Sequence, residues 1–86
     1  MKEIFVTVDG MALDFDTARD IARTLALKMN PHTDEMAWFN RRANQFSPSG
    51  IMCRFGDTPG WEQYGKTHGG QRKISVNSGE YVFIFT

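Results

Sequence analysis

Residues 14–31 contain the pattern that most constrains the fold. Ala18, Ile21, Ala22, Leu25 and Met29 recur at helical spacing and make one apolar stripe. Asp14, Asp16 and Thr17 stand where a helix start wants side-chain acceptors and negative charge. Asn30-Pro31 ends the run, because the residue before proline is pushed out of the helical region. A helix with one apolar face needs a sheet or a second helix to cover that face. The flanking sequence supplies strands. From Lys2 to Asp9, Ile4, Val6 and Val8 alternate with Glu3, Phe5, Thr7 and Asp9.

The end of the chain reads as a β-hairpin. Arg72 to Val76 and Glu80 to Thr86 are β-rich runs joined by Asn77-Ser78-Gly79. Two registers are open. A two-residue turn pairs Val76 with Tyr81 and Ile74 with Phe83, whereas a three-residue loop pairs Ile74 with Val82. The choice decides which side chains share the face of Ile74.

The middle is ambiguous. Met36, Phe39, Ala43 and Phe46 fit a helical stripe capped by Thr33-Asp34-Glu35, and the reading leans to a second helix there. Glu35 to Arg42 also reads as a strand with Met36, Trp38 and Asn40 on one face. Ile51, Cys53 and Phe55 alternate as a short strand. Residues 56–70 read as a long glycine-rich connection with one helical turn started by Thr58-Pro59.

These elements predict one α+β domain spanning residues 1–86. Its expected order is β-α-α-β-β-β, with a four-stranded antiparallel or mixed sheet. The long helix and a second short one pack on one face. Eighty-six residues hold one such core and no more. Cys53 is the only cysteine, so neither an intrachain disulfide nor a closed Cys-His zinc site is expected. No run of about 20 apolar residues offers a membrane span, and with no signal-like start the expected location is the cytoplasm.

One motif invites a function. Gly60 to Thr67 satisfies G-x-x-x-x-G-K-[ST], whose glycines, lysine and hydroxyl would hold phosphates and magnesium in a true P-loop. The context argues against a nucleotide-hydrolysing enzyme. His68-Gly69-Gly70 is a poor helix start, and 86 residues cannot hold the parallel sheet that a P-loop needs. The residue set Lys66, Thr67, His68 and Arg72 survives as a weaker candidate for binding a small phosphate-type anion.

Other candidates are weighed against structural roles. Cys53 with His32 or His68 reads as a core thiol and two loop histidines rather than a catalytic pair. Asp9, Asp14 and Asp16 gather near the end of the first strand, where capping accounts for two of them. Trp38, Arg41 and Arg42, with Leu27 off the helix stripe, are the expected interaction surface. The uncharged strand Tyr81 to Phe85 would add a pairing edge if it lay outermost. Ten basic and ten acidic residues disfavour a nucleic-acid binder. The N-terminal 35 residues carry −3 and the remainder +3, a division that suits self-association. The expectation is therefore a non-enzymatic domain without cofactor or metal, acting by association with itself or another protein. The alternative is an anion-binding module.

Overall fold

A computed structural model describes residues 1–49 and 58–86. The expected strand at 51–55, including Cys53, lies outside the described residues. Seven elements follow in order: β1 (Lys2–Val6), α1 (Phe15–Met29), β2 (Glu35–Asn40), β3 (Gln45–Ser47), α2 (Gly60–Thr67), β4 (Arg72–Val76) and β5 (Tyr81–Phe85). The strands form one sheet in the order β1-β4-β5-β2-β3. β1 runs parallel to β4, and the other pairs are antiparallel, so the sheet is mixed.

The helix α1 forms where the stripe places it. Asp14 caps it, its side chain accepting the Thr17 N–H at 2.8 Å. At the other end the Asn30 N–H donates to the Ala26 carbonyl at 2.8 Å. The buried face is narrower than the stripe. Ala18, Ala22 and Ala26 are fully buried, while Ile21 and Leu25 sit half-buried on the flank. Methyl side chains in a row let the helix lie close on β4 and β5.

The hairpin takes the two-residue register, with Val76 opposite Tyr81 and Ile74 opposite Phe83. Ser78 and Gly79 have φ of 58° and 86°, the left-handed pair of a type I′ turn. Ile74, Val76, Tyr81, Phe83 and Phe85 therefore face α1 together. Val82 and Ile84 face the opposite side, where they meet Ala37 of β2 and Trp61 of α2.

Three expectations need correction. Residues 34–46 hold the strands β2 and β3 rather than a second helix. The sheet gains a strand, and the second helix falls later, over residues 60–67. The two helices lie on opposite faces, not on one, because alternation along β5 sends its odd and even residues into different clusters.

Candidate functional site

The motif residues 60–67 are helical throughout. From Gln63 onward their amides enter helix bonds, the first to the Pro59 carbonyl at 3.0 Å, and no loop remains to wrap a phosphate. Gly65 serves packing instead. A Cβ there would come within 2.8 Å of Ile84 Cδ1 and 2.9 Å of its Cγ2. Lys66 lies 3.6 Å from Glu62, one turn back. Thr67 donates its hydroxyl to the Gln63 carbonyl at 3.0 Å. His68 stacks on Tyr64 with ring centroids 3.9 Å apart, and Arg72 donates to the Thr86 carbonyl at 3.1 Å. The expected anion-binding set thus collects at the end of α2, with each member bonded to its own chain.

The expected interaction surface is divided by the sheet. Trp38 faces α1, half-buried, with its ring 4.7 Å from that of Phe15. Arg41 follows β2, holds its guanidinium over Phe39 at 5.5 Å and donates to the Gly79 carbonyl at 3.1 Å. Arg42 is exposed and 3.4 Å from Glu80. Leu27 is 45% exposed on α1. The C-terminal strand is not an edge either. β5 is paired on both sides, by β4 and β2, which removes Tyr81 to Phe85 as a docking strand.

The outermost strands are β1 and the three-residue β3, and β1 is the longer edge. It pairs with β4 on one side and has no strand on the other among the described residues. In a parallel pair, alternate residues direct both backbone groups toward the neighbour. Lys2 donates its N–H to Gln71, and the Val6 carbonyl accepts from Asn77. The inward set is therefore Lys2, Ile4 and Val6. The Asn77 side chain extends it: its Oδ1 accepts the Val8 N–H at 2.8 Å, and its Nδ2 donates to the Val8 carbonyl at 3.4 Å. Glu3, Phe5 and Thr7 consequently present their N–H and C=O groups outward.

Side chains reinforce this edge. Phe5 at its centre is 74% exposed, the most exposed large apolar side chain among the described residues. Glu3 is balanced by Lys73 at 3.8 Å, and Lys73 is held in turn by Glu62 of α2 at 2.8 Å. On the other face, Arg19 donates to Glu35 and lies over the Trp38 ring, which fixes that flank of α1 toward β2. Ile21 and Leu25 lie on the opposite flank of the helix, toward β1. They line a shallow depression of about 270 Å³ with Asp20 and Thr24. Ile4, Val6 and Val8 are only partly buried beneath that flank.

A second concavity lies at the far end of the strands. Ala12, Leu13, Asp14, Asn40, Arg42, Ala43 and Tyr81 line a cleft of about 410 Å³. The Tyr81 hydroxyl donates to the Leu13 carbonyl at 3.0 Å and holds one wall. Hydrogen bonding from Thr17 holds the Asp14 carboxyl below its ordinary value, so it stays charged beside the cleft. Among the described residues, no group of three or more His, Cys, Asp or Glu is arranged to hold a metal ion. No described helix is long and apolar enough to cross a membrane.

Residues 1–85 match the model of a domain of unknown function, DUF5619. The chain belongs to this family. A solved structure, that of the novel protein AF1514 from Archeoglobus fulgidus DSM 4304, is similar over all of this chain and 93% of its own, with a TM-score of 0.83 and 26% identity. No curated protein matches. The family assignment carries no activity, and the edge and the cleft are the features that bear on function. The edge had one signal in the sequence, an aromatic residue at Phe5 on the polar side of an alternating strand.

Proposed function

We propose that this domain works by protein association through strand addition at the free edge of β1. The observation that carries the reading is Phe5, 74% exposed at the centre of an outer strand. Soluble proteins usually blunt an outer strand with charge, proline or a bulge. Here the only charged residues on β1 are Lys2 and Glu3, at one end, and Glu3 is balanced within the chain. An incoming extended segment would bond to Glu3, Phe5 and Thr7 and cover the Phe5 ring, as strand-addition modules do.

Amide hydrogen exchange tests this with a seven-residue probe peptide, Thr-Val-Thr-Phe-Thr-Val-Thr. Slowed exchange confined to Glu3, Phe5 and Thr7 is the expected result. Exchange at these amides that is fast without peptide and stays fast with millimolar peptide would remove the reading.

A second reading takes the cleft between Asp14 and Arg42 as a small-molecule site. Its support is the position, at the carboxyl ends of the co-directional strands β1, β2 and β4, together with an anionic and a cationic group on its rim. Line broadening of the Asn40 and Ala43 amides with a dipolar probe such as L-leucine would support it, and silence at both would end it.

A further inference from the structure

We infer that the partner for the β1 edge is a second copy of this chain, related by a twofold axis through Phe5; the inference rests on the strand-addition reading above. The edge is symmetric about that residue. Its outward groups belong to Glu3, Phe5 and Thr7, with Phe5 in the middle and Val8 held in line by Asn77. Two such edges meeting antiparallel must match outward residue to outward residue. That condition leaves five twofold registers, centred on Glu3, Ile4, Phe5, Val6 or Thr7, and the last two set Phe5 against the partner's Thr7 or Asp9 rather than against a ring.

Centring on Glu3 sets two carboxylates face to face, which like-charge repulsion opposes. Centring on Ile4 places Glu3 against the partner's Phe5 and Lys2 against the partner's Val6, mixing charge with apolar surface at both ends. Centring on Phe5 pairs Phe5 with the partner's Phe5, Glu3 with the partner's Thr7, and Ile4 with the partner's Val6. Only this register joins ring to ring and aliphatic to aliphatic, and it gives Glu3 a hydroxyl to bond. Aromatic and aliphatic cross-strand pairs are the favourable ones.

The other face of the seam agrees. A twofold perpendicular to the sheet keeps α1 and its copy on one side. Each helix leaves Ile4, Val6 and Val8 only partly covered and turns Ile21 and Leu25 toward the edge. The two copies then enclose one apolar layer between their helices, while the paired Phe5 rings cover the opposite face. The product is one continuous ten-stranded sheet with no open edge at β1, an isologous closure.

The test combines sedimentation equilibrium of the full chain with isotope-filtered NOEs on a mixed labelled and unlabelled sample. A dimer with contacts between Ile4 and the partner's Val6 is expected. Phe5→Lys sets two ammonium groups opposite each other and should weaken the dimer at least tenfold. Leu25→Glu, on the opposite face of the seam, should do the same. Both sites are partly or largely exposed, and unchanged circular dichroism checks that each variant folds. Contacts between Lys2 and the partner's Val6, or a dimer indifferent to both substitutions, overturns the inference. A monomer at all concentrations overturns it too. If the probe peptide still slows Glu3, Phe5 and Thr7 in that monomer, strand addition stands and the partner is another chain. If the peptide does nothing, both readings fall.

Discussion

Asn77 lengthens β1 by two residues through its side chain, accepting the Val8 N–H at Oδ1 and donating from Nδ2 to the Val8 carbonyl. The same residue donates its backbone N–H to Val6 at 2.8 Å. It sits at φ 49°, in the left-handed region that Asn tolerates better than most residues. One residue thus joins the hairpin turn to the free edge.

Replacing Asn77 separates these two roles. Asn77→Gly keeps the backbone conformation and removes the side-chain bonds, at an expected cost of about 1 kcal/mol. Asn77→Ala adds the left-handed strain and should cost about 1 kcal/mol more. In both variants the Val8 amide should lose its exchange protection. Urea midpoints and amide exchange measure the two effects; equal stability of the Gly and Ala variants would show that the backbone conformation contributes nothing.

Gly65 tests the fate of the phosphate-loop motif. A methyl group there would meet Ile84 side-chain atoms at 2.8 and 2.9 Å, inside the contact distance of real side chains. Ile84 is fully buried and cannot swing clear. Gly65→Ala should therefore destabilise the fold by about 1–3 kcal/mol, despite alanine's better helix propensity. Lys66→Ala, on an exposed position, should move stability by no more than about 0.5 kcal/mol. Thermal melts with and without a nucleoside triphosphate should show the same differences, since neither residue faces a phosphate.

This steric role also explains what the sequence conceals. α1 and the hairpin are legible because their periodicities and turn residues act locally: Asp14 and Asn30 bracket one, and Ser78-Gly79 closes the other. α2 shows only as the single turn expected after Thr58-Pro59, because Gly60 and Gly65 are poor helix formers and Gly65 is required by its contact with Ile84 of β5, which no local pattern records. β2 hides for a different reason. A register shift between Glu35 and Ala37 turns both Met36 and Ala37 toward the α2 cluster, while Trp38 turns to α1. The bulge breaks the two-residue alternation and leaves Met36 and Phe39 at a helical-looking spacing. The edge position of β1 depends on strand order, which pairing between residues 70 apart decides and no local pattern records.

Acid should loosen α1 first at its start. The Asp14 carboxyl is held below its ordinary value of 3.8 by the Thr17 backbone hydrogen bond. The folded state therefore prefers the ionised form. Its contribution is fully present above 3.8 and is lost as pH falls through the lower folded value. Asp14→Asn keeps a capping oxygen and removes the titration. Its melting temperature should fall less steeply than that of the parent chain over this acid range. Parallel curves would mean that the cap does not report on folding.

Arg19 links helix, sheet and aromatic layer at one point. Its Nε donates to Glu35 Oε1 at 2.9 Å and its second nitrogen pairs with Oε2, a two-pronged contact. The guanidinium also lies 5.4 Å from the Phe15 ring and 5.9 Å from that of Trp38. A lysine reproduces the charge but neither the fork nor the flat face. With the arginine side chain 31% exposed and the glutamate 15%, water weakens the pair without removing it. Arg19→Lys should cost about 1–2 kcal/mol, and Glu35→Gln about 1 kcal/mol. A double-mutant cycle should return a coupling of about 1 kcal/mol, because removing either partner leaves the other half-buried and alone. Coupling near zero would assign the arginine's contribution to the two rings, and Phe15→Leu in the Arg19→Lys background would then cost no more than its lost packing.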